Sequence, residues 1–593
     1  MIGNRIIDGI ISEFKNDFEL HKHNESKVFE YLINYLVISK IHPESFADPT
    51  TLEEVDIDKK NTFGIDAFAL VVNDNLVLNK DEISLYRKSK RLNVKFIFIQ
   101  SKTSSSVDSG DLLKFTQAVK NFFSSSPDIP ISDELQSCKE LVDEIFSTEN
   151  TRYFGSSKPV CELYYAVTGK PLSDPTVEGV MKSEESSILL SVPELKSATI
   201  KLINSDYIID SYNEIENRYS VIINFKNNIS FEKISNVTQS YIGYLSSNEF
   251  LKLICDYEDN LRRNLFYENV RDFQGLDNSV NQEIENTIKN QEDIDKFVLL
   301  NNGITIVARD FKSLGSNEFE ISDYYVVNGC QTSNMLYHNR SIIKNSKKLW
   351  VPIKIIHTTS SDLTSQIIRA TNRQSPVPDE AFVSLEKFHK RLQDFYNYFS
   401  EKVSDKLLYE RRSKEYTNTI DRIEKSRLVN LHGQIRSFGA IILGEPQLIY
   451  SRSPVTILKD HRDKLFVDEH KYLPYFLSSY FLYKFYKKRN AGFIDGKYIV
   501  FRYHLGWIYR MLSAREISLP PLNSKKIDTI CERIISEFDR DSEFEQRLNH
   551  TITILEDAKK KHKQESGYLR NRELVRRKSF KELILKTTKS QLG

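Results

Sequence analysis

The stretch Phe96-Ile-Phe-Ile-Gln-Ser-Lys102 constrains this chain more than any other. Side chains alternate across an extended strand, so Phe96, Phe98, Gln100 and Lys102 share one face while Ile97, Ile99 and Ser101 share the other. A strand that is apolar on both faces is buried, yet this one ends in Gln-x-Lys. Setting an amide and an ammonium beside a packed core costs several kcal/mol unless a phosphate, carboxylate or metal satisfies them, which puts the pair at the mouth of a site. Asp66, in Gly64-Ile-Asp66 upstream, supplies the matching negative charge.

The flanking segments have their own patterns. Asn24 to Leu36 reads as a helix on which Glu25 shares the face of Phe29, Leu32, Ile33 and Leu36, whereas Glu30 points about a quarter turn away. Both glutamates stay candidates for the site. After the strand, Asp108 or Ser109 is placed to cap a helix carrying Leu112, Phe115, Val119 and Phe122. Val160 to Thr168 then reads as a second buried strand. The charged run Asp81 to Arg91 reads as a solvated excursion inserted between strands.

Together Gly64-Ile-Asp66 and Gln100-Ser-Lys102 resemble the PD-(D/E)xK, or restriction-endonuclease-like, nuclease superfamily, in the variant where Gln replaces the acidic residue. The resemblance implies a Mg²⁺ (or Mn²⁺) ion held by Asp66, the Gln100 carbonyl, a helix glutamate (Glu25 or Glu30) and the Ser101 backbone carbonyl. A hard dication keeps several waters and takes oxygen ligands, which suits this set. Lys102 would hold the water that attacks a phosphodiester, beside the metal that lowers its pKa.

Farther along, three phrases rich in Asn, Gly, Gln and Thr stand out: Asn301-Asn-Gly-Ile-Thr305, Asn328-Gly-Cys-Gln-Thr332 and Ala370-Thr-Asn-Arg-Gln374. The second follows the apolar strand Tyr324 to Val327 and precedes a helix, so Asn328-Gly329 forms a strand-to-helix turn. With Asn269-Val-Arg-Asp-Phe273, Val280-Asn-Gln-Glu-Ile284 and Tyr409-Glu-Arg-Arg-Ser413, these phrases resemble the abortive-infection phage-resistance (AIPR) family. That resemblance implies a prokaryotic antiphage defence factor and allows a nuclease domain ahead of the AIPR region. Chemically, Asn302, Asn328, Gln331 and Asn372 offer amides that pair with a base edge, while Arg373, Arg411 and Arg412 suit bidentate phosphate contacts. Turn-building and surface ion pairing are the competing readings.

At 593 residues the chain exceeds what one core usually serves. Its net charge of +1 does not advertise nucleic-acid binding, so any basic surface is local. One such region lies between Lys559 and Lys589, where twelve Lys or Arg stand against three Glu; nucleic-acid contact and a solvated helix end explain it equally well. The aromatic run Tyr472 to Phe485 carries little charge and reads as helical core, not as a base-stacking platform. Five scattered cysteines without a Cys-x-x-Cys pair, and no apolar run long enough for a membrane helix, point to a cytoplasmic protein.

The expected fold class is α/β multidomain. It comprises a restriction-endonuclease-like domain over 1–185, an α/β connector over 186–265, an α/β AIPR module over 266–450, and a mainly helical end with a basic tail over 451–593. The expected function is antiphage defence by a metal-dependent endonuclease acting on nucleic acid, DNA ahead of RNA, with a homodimer supplying two sites for two strands. An RNase, or a catalytically inactive nucleic-acid-binding regulator, is the alternative.

Overall fold

A computed structural model describes residues 4–57, 63–87, 92–154, 158–170, 174–216, 218–266, 279–290, 292–344, 346–372, 379–411, 416 and 423–592. The strand Val94–Ser101, which carries Gln100, is the centre of a five-stranded sheet. Its members are β1 (Ala67–Val72), β2 (Asn75–Val77), β3 (Val94–Ser101), β4 (Val160–Ala166) and β5 (Ser197–Ile203), in the spatial order β2-β1-β3-β4-β5. β1 runs antiparallel to β2 and β3, while β3, β4 and β5 are parallel.

Helices make the crossovers that parallel strands require. Ser109–Phe123 leads from β3 towards β4, and Pro175–Ser191 joins β4 to β5. The first begins where its sequence said it would: Asp108 accepts the Asp111 N–H at 2.8 Å. Its buried Leu112, Phe115, Val119 and Phe122 pack with Phe68, Phe96 and Phe98 in one core. The Phe68 and Phe98 rings are 5.1 Å apart and the Phe98 and Phe122 rings 5.3 Å, in tilted and edge-on arrangements that rings prefer. Ile97 and Ile99, on the reverse face, are also fully buried, and the helix Glu25–Ser39 packs against β3. The charged excursion folds in part as the helix Lys80–Tyr86; residues 88–91 lie outside the described residues.

Two compact units make up the chain. The first combines Met1–Ile209 with Asp379–Gly593, and the second is Asp210–Pro378. In the first unit the aromatic run is helical core, as its composition requires: Tyr475, Phe476, Tyr480 and Phe485 are buried along the helix Leu473–Asn490. The Tyr475 ring stacks on Phe438 with centroids 4.0 Å apart. Around it pack the helices Arg502–Ala514, Lys525–Phe538, Asp541–Ser566 and Lys578–Leu592. This helical region is joined to the amino-terminal residues by buried polar contacts. Arg502 pairs with Asp48 at 2.8 Å and Glu54 at 2.6 Å, and the Tyr486 hydroxyl donates to the Phe18 carbonyl at 2.6 Å. In the basic tail, Lys559 pairs with Glu556 at 3.0 Å and Lys581 with Glu445 at 2.7 Å.

The second unit is built on six strands, β6 (Ser220–Asn224), β7 (Asn227–Ser230), β8 (Gln239–Ser246), β9 (Ile304–Gly315), β10 (Glu318–Asn328) and β11 (Trp350–His357). Their order is β6-β10-β9-β11-β8-β7. One core holds Phe250, Ile254, Ile284, Phe297, Ile306, Tyr324 and Met335, so the helices Ser247–Ile254, Ser279–Lys289 and Cys330–His338 bury their apolar stripes on this sheet. Among the described residues no helix is long and apolar enough to cross a membrane.

Candidate functional site

Asp66 stands one residue ahead of β1 and is latched to β3 twice. Its backbone N–H donates to the Ile99 carbonyl at 2.9 Å, and its carboxylate accepts the Ser101 N–H at 2.6 Å. The second bond is a charge-assisted one, the stronger kind. Gly64 turns the chain into this position with φ +94°, and a Cβ there would stand 3.0 Å from the Gln100 Nε2. Glycine at 64 therefore serves both the left-handed turn and the room for the Gln100 amide.

Gln100 is 3 % exposed, and its Oε1 is buried without a hydrogen-bond partner; the buried Ser101 hydroxyl has none either. A buried amide oxygen left this way costs about 1–3 kcal/mol. Lys102, at the end of the strand, donates its backbone N–H to the Ala166 carbonyl at 2.8 Å and sets its ammonium 3.5 Å from the Asp111 carboxylate. Slight burial works to raise the Asp111 pKa, but Lys102 and Lys114 hold that carboxyl below its usual range.

Tyr165 completes the cluster, and the sequence reading had not singled it out. β3 and β4 are parallel with Gln100 opposite Tyr165, so the two side chains project from one face. Burial, then the charges of Asp111, Asp108 and Asp66, push the Tyr165 hydroxyl up to about 12. It stays a neutral donor throughout the physiological range. The loop after Lys102 is strapped to the end of β4, for Thr168 donates its N–H to the Ser104 carbonyl at 2.9 Å and its hydroxyl bonds the Thr103 and Ser104 carbonyls.

Both helix glutamates lie on Glu25–Ser39, the helix that packs against β3. Glu25 is exposed in the first turn of its helix. Glu30 bonds Lys27 at 2.8 Å, and Lys27 also bonds Asp56 at 2.8 Å; Asp56 bridges to Ala67, the neighbour of Asp66 on the alternate face. Among the described residues no three His, Cys, Asp or Glu side chains form a group able to hold a metal ion. The oxygen donors present, the Asp66 carboxylate and the orphaned Gln100 Oε1, suit a dication that retains much of its water, as Mg²⁺ does.

The amide phrases meet in the second unit. Asn302, Asn328 and Gln331 line a cavity of about 360 Å³. Asn372 ends the helix Ser361–Asn372, while Arg373 and Arg412 lie outside the described residues. Arg411 belongs to the first unit, where its Nε donates to the Gln393 Oε1 at 2.6 Å.

Residues 266–566 match the family described as AIPR protein. No curated protein and no solved structure matches the chain.

Proposed function

Since the chain belongs to the AIPR family, whose membership suggests antiphage defence of the abortive-infection kind, we propose that it acts there as a metal-dependent nuclease. DNA is the favoured substrate and RNA the second. The observation that carries this reading is the buried Gln100 Oε1 without a partner, beside an Asp66 carboxylate fixed on the Ser101 N–H and a lysine two residues on.

Asp66, Gln100 and the Ser101 carbonyl would hold Mg²⁺ or Mn²⁺. A bound dication polarises a phosphoryl oxygen and makes water a better nucleophile. The chain's own groups account for the rest. Lys102, steadied by Asp111, holds the attacking water and neutralises charge on the phosphoryl oxygens. Tyr165, whose hydroxyl is kept protonated near neutrality by burial, donates a hydrogen bond to a phosphate oxygen. Severing both strands of a duplex takes two such sites, so a homodimer is the assembly we infer.

The test offers the full-length protein supercoiled DNA, linear duplex, single-stranded DNA and RNA, with Mg²⁺, Mn²⁺ or a chelator. Metal-dependent cleavage that Asp66→Asn and Lys102→Ala both abolish is the expected result. Binding of nucleic acid without cleavage under every condition overturns it and favours a non-catalytic regulator.

A further inference from the structure

The second unit carries a site of its own. All three amide-rich phrases reach the cavity of about 360 Å³, through Asn301, Asn302, Asn328, Gln331, Thr332 and Thr371. That volume falls in the range of small-molecule pockets. The chain leaves β10 through Gly329 at φ +97°, so the helix Cys330–His338 starts at once and presents its first turn to the cavity without a capping side chain. A Cβ at Gly329 would press on Ile304 at 2.7 Å, which keeps strand end and helix start close together.

The amides are set, not loose. Asn328 donates its Nδ2 to the Thr371 carbonyl at 2.8 Å, leaving its Oδ1 as an acceptor. Gln331 accepts from the Asn281 Nδ2 at 2.9 Å, and Asn301 donates to the Phe297 carbonyl at 3.1 Å. Thr332, in the first helical turn, adds a hydroxyl and a backbone N–H. Val280, Ile284 and Leu300 also line the cavity, with Val280 and Leu300 56 % and 65 % exposed. Among the described residues the lining has one charged side chain, Glu283, and no lysine or arginine.

Amide groups beside aliphatic side chains suit a flat ring with hydrogen-bonding groups on its edge. The edge of such a ring must offer a donor next to an acceptor, and its faces must tolerate aliphatic contact. We propose that the cavity binds an adenine base. The exocyclic amino group donates to Asn328 Oδ1, an adjoining ring nitrogen accepts from Thr332, and Val280 and Leu300 cover the ring. Adenine presents that donor and acceptor side by side, and an amide is its common partner. On its N7 edge guanine presents two acceptors and would set its O6 against the Asn328 oxygen.

Calorimetric titration of the full-length protein with adenosine, guanosine, cytidine and a short oligodeoxyadenylate tests the assignment. Adenosine binding is expected to exceed guanosine binding by about tenfold, to fall about tenfold in Asn328→Ala, and to fall severalfold in Thr332→Val. The near-isosteric Thr332→Val keeps the test valid should Asn328→Ala disturb the turn. Binding of adenosine assigns a free nucleoside; binding of the oligonucleotide alone assigns a base carried on a strand, and either supports the site. No binding of either at about 1 mM, equal binding of guanosine or of cytidine, whose amino group also adjoins a ring-nitrogen acceptor, or indifference to both substitutions overturns it. The readout is independent of phosphodiester cleavage, so this site and the nuclease reading stand or fall separately.

Discussion

The Asp66 carboxylate accepts the backbone N–H of Ser101 at 2.6 Å, so the acidic residue of one strand is fixed by the main chain of the next, between Gln100 and Lys102. Removing the acceptor leaves that N–H without its partner. Asp66→Ala is expected to cost about 1–3 kcal/mol of stability. Asp66→Asn keeps an oxygen for Ser101 but not the charge. It should melt within about 1 kcal/mol of wild type and lose metal-dependent cleavage by about a hundredfold or more. Thermal denaturation beside the cleavage assay separates the two roles; equal loss of stability in both variants would mean that the charge itself holds the strand ends together.

Gln100 makes the opposite prediction. Its Oε1 is buried and unpaired, so an apolar replacement of similar shape removes a cost. Gln100→Leu is expected to leave stability unchanged or raise it by about 1 kcal/mol while cleavage disappears. Gln100→Glu restores an acidic residue at the same reach and should retain cleavage in the presence of Mg²⁺. Chemical denaturation checks the first claim, and a Gln100→Leu protein destabilised by more than about 2 kcal/mol would show that the amide is satisfied in solution.

At Gly169 a Cβ would overlap the Ser105 carbonyl oxygen. That close approach straps the loop after Lys102 to the end of β4, together with the Thr168 bonds. Gly169→Ala must push the loop away and with it Asp108, the cap of the helix that carries Asp111. Cleavage is expected to fall at least about tenfold, with a stability loss of about 1–3 kcal/mol. Hydrogen exchange reads the displacement directly, through faster exchange of the Thr168 N–H. Unchanged exchange with lost cleavage would argue against the strap.

What could be read from the sequence was local. Asp108 capping its helix, the burial of Phe96 and Phe98 along one strand, and the burial of Tyr475 and Phe476 each follow from spacing along a few residues. Tyr165 could not be found this way, because its place beside Gln100 depends on the parallel register of β3 with β4, separated in sequence by the helix Ser109–Phe123 and more. Glu25 illustrates a limit of helical periodicity: it shares the apolar face, yet at the first turn it lies beyond the core and is exposed. The joining of amino-terminal residues to the helical region was equally illegible. Arg502 reaches Asp48 and Glu54 across some four hundred and fifty residues, and no local pattern encodes such a contact. The amide phrases were visible as turns, but their shared cavity also needs Val280 and Ile284 from one helix and Leu300 from another.

Asp405 and Lys484 form a buried ion pair at 2.9 Å, with side chains 7 % and 4 % exposed, and Lys487 joins them. Burial would raise the Asp405 pKa, but its bonds to Lys487 and Lys484 outweigh that and hold it below the usual value. A carboxyl that ionises at lower pH when folded than when unfolded contributes fully above the unfolded value of about 4 and loses that contribution as pH falls through the folded one. Asp405→Asn should therefore be less stable than wild type near neutrality, with the gap narrowing on acidification below about pH 5. Asp405→Ala removes the nearer counter-charge of the buried Lys484, leaving Asp539 at 3.8 Å, and is expected to cost about 3 kcal/mol. Melting temperatures across that pH range supply the measurement. A gap between Asp405→Asn and wild type that stays constant down to about pH 3 would mean that the pair's contribution is hydrogen bonding alone.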